Sequence, residues 1–256
     1  MLNLIKIGGN IIDNESHLAQ FLREFSAIHG HKILVHGGGK LATQLGTQLG
    51  ISSQMIEGKR VTDADTLRVV TMVYAGWLNK HIVAQLQGIG CNAVGLSGAD
   101  ANLIPATQRA PEPINYGYVG DIMPARINTE FLNHLLEQDM SPVFCAITHN
   151  SKGQLLNSNA DSIASSLAIA MSKIEQVRLI YCFEKNGVLS NVDNEGSIIP
   201  ELTYESYEEY KTNGIISQGM IPKLDNAFKA ISAGVSEVVI KHALHLNSGG
   251  GTVIHL

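Results

Sequence analysis

The stretch Lys32-Ile-Leu-Val-His-Gly-Gly-Gly-Lys40 decides how this chain is read. An apolar run ends in three glycines, and Leu41 to Leu49 follows with helical spacing. The pattern is a buried strand that feeds a tight turn and then a helix. Glycine carries no side chain to cover the turn's N–H groups, and the first N–H groups of a helix have no partner within it. Such a turn is an anion site, so the first expectation is phosphate or a developing negative charge at residues 37–39.

Upstream, Leu2 to Ile7 is a second apolar run, ending in Gly8-Gly9. Between the two runs, Ser16 to Ile28 places Leu18, Phe21, Leu22 and Phe25 at helical spacing, with Gly30 just beyond. The three form a βαβ unit, which should be parallel and right-handed. Neighbouring strands would set Gly8-Gly9 beside Gly37-Gly38-Gly39 at the carboxyl edge of the sheet, where open α/β sheets bind ligands. Lys6 lies near that end of the first strand. It is either an edge or snorkelling side chain, or an ammonium facing the ligand.

Downstream, Glu57-Gly-Lys-Arg-Val-Thr-Asp63 precedes a long helix from Asp63 to Gln87, with Thr62 and Asp65 as a capping-box-like start. Further strands are expected at Asn92 to Leu96, Val119 to Met123 and Pro142 to Ile147, with a helix at Asn128 to Gln138. Asn157-Ser-Asn-Ala-Asp161 leads into a small apolar helix, Ser162 to Met171. A second βα series then begins: strand Val177 to Phe183, an acidic helix near Tyr204 to Thr212, a helix opened by Pro222, and strands at Val235 to Ile240 and Gly251 to His255. The turnover near Ser172 to Gln176 divides the chain into lobes at 1–173 and 174–256.

Bulk properties narrow the class. The chain has 256 residues, 45% hydrophobic and 16% charged, enough for a sizeable core. A net charge of −5 argues against nucleic acid or an anionic membrane as partner. No apolar run approaches the ~18 residues a membrane helix needs, and the opening residues are not built like a signal peptide. Cys91, Cys145 and Cys182 form no CxxC and read as reduced thiols of a cytoplasmic protein. The ten histidines show no HExxH or other ligand spacing, so no metal held by the protein is expected.

Known glycine motifs fail in instructive ways. GxxxxGK[ST] is absent because Leu41 follows Lys40, and the GxGxxA match at Gly88 to Ala93 follows a helix rather than a strand. His36-Gly-Gly-Gly39 is shaped like the oxyanion loop of esterases, but the nearest nucleophile elbow, Gly95-Leu-Ser-Gly-Ala99, has alanine in place of its last glycine. An esterase-like hydrolase stays as the different-class alternative. Among charged residues, Lys223 falls in a first helical turn, where the dipole disfavours a cation by ~0.3–1 kcal/mol unless an anion is bound. Asp161 is either an N-cap or the carboxylate that orients two lysines. Arg60 is a solvated loop residue or a fork gripping a carboxylate, and Asn157 and Asn159 alone would be turn residues.

Taken in order, Lys6-Ile-Gly-Gly9, His36-Gly-Gly-Gly39, Gly58-Lys-Arg-Val-Thr62, Val94-Gly-Leu-Ser-Gly98, Asn157-Ser-Asn-Ala-Asp161 and Gly219-Met-Ile-Pro-Lys223 give a chain that resembles the amino acid kinase family over nearly its whole length. The resemblance implies an open αβα sandwich with a largely parallel central sheet. The N-terminal lobe would bind the amino-acid substrate and the C-terminal lobe ATP with Mg2+, the metal held mainly by the phosphates. Arg60-Val-Thr and Asn157-x-Asn159-Ala-Asp161 imply the branch that phosphorylates the γ-carboxylate of an N-acyl-L-glutamate in arginine biosynthesis. N-acetyl-L-glutamate is expected ahead of N-succinyl-L-glutamate, with another phosphotransferase of the amino acid kinase family as a further alternative. Position by position, Lys6 and Lys223 match the catalytic lysines and Asp161 the aspartate that organises them. Gly8, Gly9, Gly37 and Gly38 match the phosphate-binding glycines, with Gly37, Gly38, Arg60, Asn157 and Asn159 near the substrate. Glu184, Lys185, Asn186, Gly187, Val188 and Leu189, with Ile215, Ile216 and Ser217, match nucleotide-contacting segments. Phe183 and Glu184 depart from the Thr/Ser-Asp-Val-x-Gly pattern of many relatives, and the segment after Lys241 is short for a lid. The chain opens directly on its first strand, without the helical extension of arginine-inhibited hexameric relatives, so a homodimer without that feedback is expected.

Overall fold

The computed structural model describes residues 1–56, 59–216 and 219–256. Gly58 of the Gly58-Lys-Arg motif and Ser217 of the expected nucleotide segment lie outside the described residues. The main sheet has eight strands: β1 (Leu2–Ile7), β2 (Lys32–His36), β3 (Ala93–Leu96), β4 (Ser141–Phe144), β5 (Val177–Phe183), β6 (Glu201–Leu202), β7 (Glu237–His242) and β8 (Thr252–Ile254). Their order is β6-β8-β7-β5-β1-β2-β4-β3, and every neighbouring pair is parallel except β7 with β8. The expected α/β sandwich with a largely parallel sheet is therefore what the chain forms. β1 lies between β2 and β5, with Ile5 opposite Leu34 on one side and Ile180 on the other. Leu2, Leu4, Ile5 and Ile7 are fully buried, because helices cover both faces and the strand has no polar side to show.

The covering helices are α1 (Glu15–Ser26), α2 (Gly39–Gln48), α3 (Ala64–Thr71), α4 (Asn79–Gly88), α5 (Thr129–Glu137), α6 (Ala160–Met171), α7 (Tyr204–Thr212) and α8 (Ile221–Ser232). α1 turns Leu18, Phe21, Leu22 and Phe25 into the core, as their spacing predicts. Asn14 caps it by accepting from the His17 N–H at 3.0 Å. α6 is buried from Ile163 to Met171, packed against β1, β2, β5 and α8. No helix among the described residues is long and apolar enough to cross a membrane.

Three local expectations are corrected. The long helix starts one residue later than its capping box suggests: Asp63 accepts from the Thr66 N–H at 2.8 Å, while Thr62 is buried and bridged by backbone to Tyr116 and Tyr118. That helix also runs through a π-helical segment, Met72–Leu78, between α3 and α4. The expected strand from Pro142 to Ile147 is two strands. β4 ends at Phe144, and Ile147–His149 pairs antiparallel with Leu155–Asn157, because the chain leaves the sheet at its carboxyl edge.

Candidate active site

Each glycine turn follows a sheet strand, and register pairs Ile7 at the end of β1 with His36 at the end of β2. The Gly8 N–H bonds the Cys182 carbonyl at 3.1 Å, and a single helical turn, Gly9–Ile12, follows. Gly37 and Gly38 lead directly into α2. Gly38 has φ 148°, closed to L side chains, and a Cβ there would overlap the Leu78 side chain. Among the described residues no side chain caps α2, which leaves its first N–H groups available to an anion.

Lys6 lies between these turns on the central strand, opposite Val35 and Tyr181, and is 8% exposed. It is neither an edge residue nor a snorkelling one. Its Nζ lies 2.6 Å from Asp161 Oδ1. Asp161 is the second residue of α6, and the N-cap role belongs to Asn159, whose Oδ1 accepts from the N–H groups of Asp161 (2.8 Å) and Ser162 (3.2 Å). The Asp161 carboxylate is thereby free of capping; its buried Oδ1 accepts no well-aligned hydrogen bond and is held by charge. Burial pushes this carboxyl up, but the ammonium groups of Lys6 and then Lys223 outweigh it and hold it below the usual carboxylate range. Asp161 is thus a fixed anion rather than a proton carrier. Lys223 is the third residue of α8, a helix with no side-chain cap among the described residues, and its Nζ lies 3.4 Å from the Gly219 carbonyl.

A cavity of about 640 Å³ opens beside this cluster and is lined by Gly37, Gly38, Arg60, Asn157 and Asn159, all expected substrate contacts. Lys6, Asp161 and Lys223 are not among its walls. Three short hairpins contribute to its rim, those of Lys59–Arg60, Gly120–Ile122 and Leu155–Asn157. The Arg60 guanidinium donates to the Gly39 carbonyl (2.9 Å), Thr43 Oγ1 (2.8 Å) and Ser53 Oγ, which fixes its plane at the start of α2. Asn157 Nδ2 donates to Thr62 Oγ1 at 3.0 Å, which orients its amide. The sequence reading missed Tyr74, a cavity wall whose ring packs against Gly38; burial pushes its phenol up, opposed by the nearby Arg60 charge. Tyr74 sits in the π-helical segment, which regular helical periodicity does not reveal.

A separate small cavity, about 50 Å³, is lined by Gly187, Val188, Leu189, Ile216 and Met220, with Lys185 beside them. It gathers both expected nucleotide segments, although Asn186 and Ile215 do not line it. Glu184 accepts from Asn10 Nδ2 at 2.7 Å, joining this segment to the first glycine turn. Lys185 pairs with Glu195 at 3.0 Å. Among the described residues no group of three His, Cys, Asp or Glu is placed to hold a metal ion. The hydrolase alternative gains no support here. Ser97 Oγ donates to Asp100 Oδ2 at 2.8 Å, and the buried His36 ring contacts Gly37 O and Asn79 instead of a nucleophile.

Comparison with known proteins identifies the family. A sequence model of the amino acid kinase family matches residues 1–242. The chain is similar to an acetylglutamate kinase of Phocaeicola vulgatus, 52% identical over 253 residues, covering 99% of this chain and 98% of that protein. An acetylglutamate kinase of Bacteroides fragilis is 49% identical, covering 99% of this chain and 96% of that one. Among solved structures, smu.665 of Streptococcus mutans UA159 superposes with a TM-score of 0.83 at 27% identity, covering 99% of this chain and 98% of that one.

Proposed function

This chain belongs to the amino acid kinase family, and from that premise we propose that it transfers the γ-phosphoryl group of ATP to the γ-carboxylate of N-acetyl-L-glutamate. The product is an acyl phosphate, and the pathway proposed for it is arginine biosynthesis. The observation that carries the reading is the buried Lys6–Asp161 pair under the influence of Lys223, between two glycine turns and next to a cavity walled by Arg60 and Asn157.

A γ-carboxylate oxygen forms a bond to the γ-phosphorus, the bond from that phosphorus to the bridging oxygen breaks, and ADP leaves with the electron pair. The carboxylate is already ionised at neutral pH, so no proton has to move. A site built of ammonium groups and N–H donors around a permanently charged aspartate suits that requirement. Catalysis is then positioning plus neutralisation of charge spread over the transferring oxygens. In this reading Arg60 and Asn157 hold the substrate α-carboxylate, with Asn159 at the same wall. Gly37 and Gly38 offer N–H groups to substrate and phosphoryl group, and Gly9 offers its own to the nucleotide phosphates; the Gly8 N–H, expected there too, is already given to the Cys182 carbonyl. Lys6 and Lys223 draw off the developing charge, and Asp161 holds Lys6 in place. The nucleotide base side is assigned to the cavity at residues 187–189 and 216. These donors fit phosphate oxygens rather than a cation, so Mg2+ is assigned to the ATP phosphates, whose charge it would help neutralise.

The assembly proposed is a homodimer, supported by the exposed apolar side chains of Met72 (51%) and Trp77 (63%) on one helical stretch. A cytoplasmic setting is supported by three buried, unpaired cysteines. The deciding experiment is coupled ADP release with N-acetyl-L-glutamate and, in parallel, N-succinyl-L-glutamate. ADP release that depends on the acetylated substrate is expected; binding of ATP without turnover of either would sink the proposal.

A further inference from the structure

His36 opens the second glycine turn, is fully buried, and has no part in the reaction as described above. Its proton can be placed by following hydrogen bonds inward from one lysine. Lys80 Nζ donates to Asn79 Oδ1 (3.1 Å) and to the Gly95 carbonyl (2.9 Å). An ammonium only donates, so the Asn79 oxygen faces Lys80 and its Nδ2 faces the other way. That Nδ2 donates to the Val143 carbonyl (2.9 Å) and to His36 Nε2 (3.2 Å). His36 Nε2 therefore accepts, and the ring proton sits on Nδ1, which donates to the Gly37 carbonyl at 2.9 Å.

Two features of the fold make room for this chain of bonds. The π-helical segment Met72–Leu78 delivers Asn79 onto His36 while Leu78 and Tyr74 pack under Gly38. At Gly95, a Cβ would overlap Asn79 Oδ1 and stand 2.8 Å from Lys80 Nζ, so glycine is what lets the pair approach β3.

We propose that His36 is a positioning residue for phosphoryl transfer, one that sets which way the second glycine turn points its N–H groups. The Gly37 carbonyl and the Gly38 N–H belong to one trans peptide unit and point in opposite directions. Holding that carbonyl against the buried imidazole turns the Gly38 N–H the other way. Glycine backbones have the widest choice of conformation, so a turn of three of them gains most from such a brace. This role rests on the reading that the turn's N–H groups serve the transferring phosphoryl group.

The test joins spectroscopy with kinetics. Nitrogen-15 NMR of the histidine-labelled protein at neutral pH should show His36 as the neutral Nδ1–H tautomer. His36→Leu should lower kcat by about 10- to 100-fold with KM for both substrates nearly unchanged, because misaimed donors are felt mainly in the transition state. His36→Asn, which keeps an N–H donor near the Nδ1 position, should recover most of that loss. Lys80 is exposed, so Lys80→Ala is expected to fold. The Val143 carbonyl, which also only accepts, still holds Asn79 Nδ2 toward His36, so the Nδ1–H tautomer should persist with kcat within about threefold. An Nε2–H tautomer in the unaltered protein, equal kcat in His36→Leu and His36→Asn, or loss of the Nδ1–H tautomer in Lys80→Ala would each overturn the proposal. Lys6→Ala, run alongside, separates the two ideas. Its full activity would remove the phosphotransfer reading itself, whereas its collapse beside unaffected His36 variants would remove only the brace.

Discussion

The two glycine turns are written alike in the sequence and held in opposite ways. Behind the first, added Cβ atoms at Gly8 and Gly9 would have their nearest neighbours 3.7 Å and 3.9 Å away, so each would fit in ordinary contact. Its neighbourhood is organised by charge, through Lys6, Asp161 and Lys223. Behind the second, Leu78 and Tyr74 fill the space under Gly38, and a neutral imidazole holds the Gly37 carbonyl. One region depends on ion pairing and the other on packing and uncharged hydrogen bonds. The contrast suits a reaction in which a mobile, multiply charged nucleotide meets a small substrate in a shaped cavity: charge tolerates movement, and packing fixes geometry.

The comparison can be broken most forcefully at Lys6. Lys6→Met should lower kcat by roughly 10²–10³-fold, the scale of losing a main charge stabiliser. It should also destabilise the fold by up to about 3–5 kcal/mol, because Asp161 is left buried and alone. Adding Asp161→Asn should restore stability without restoring turnover; recovered turnover would mean that the pair is merely structural. Gly38→Ala should follow at about 2–4 kcal/mol, combining a left-handed backbone with an overfilled contact. Urea unfolding measures it, and a cost below about 1 kcal/mol would refute the packed description of that turn.

Protonation gives a smaller and more selective probe. Burial, opposed by the Gly37 hydrogen bond and aided by the Lys80 charge, brings the His36 pKa down to about 4 from an ordinary 6.5. The folded ring refuses a proton that the unfolded chain accepts below pH 6.5. His36 thus contributes fully above that pH and loses its contribution as pH falls toward 4. Between pH 7 and pH 5 this group alone should cost about 2 kcal/mol of stability. His149 and His242 are also shifted down by burial and tilt the curve the same way, so the smaller slope expected of His36→Asn isolates the effect. Asp161 acts in the same sense lower on the scale: its stabilisation persists above pH 3.8 and is lost only as pH falls through its lower folded value. Least affected should be Gly9→Ala, whose methyl group meets nothing closer than 3.9 Å and whose stability change should stay within about 1 kcal/mol.

Much of the architecture was legible because it is periodic. Apolar runs closed by glycine, with helical spacing between them, specify parallel βαβ units, and β1, β2, α1 and α5 lie close to where their patterns place them. The same logic failed where a local rule met a tertiary alternative. Thr62 has the chemistry of a cap, yet it is drawn into the backbone bridges at residues 116–118, and Asp63 takes the helix end. The run Pro142 to Ile147 has the composition of one strand, but the sheet ends at Phe144 and the chain turns toward the cavity.

By itself, then, the sequence settled the fold class, which follows from short-range pattern, and its motifs in order pointed to the family and to the residue types expected at the site. It left open what those residues do to one another. That Lys6 is central rather than at an edge depends on β5 inserting beside β1, a pairing between segments some 170 residues apart. That Asp161 is a fixed anion and not a cap depends on Asn159 reaching the helix end first. That Tyr74 and Asn79 meet the second glycine turn depends on a π-helical segment, which shifts every later side chain around the axis and leaves no mark in hydrophobic spacing. Contacts of this kind are made by the folded chain as a whole, because the free energy that selects them is released only when distant segments pack together.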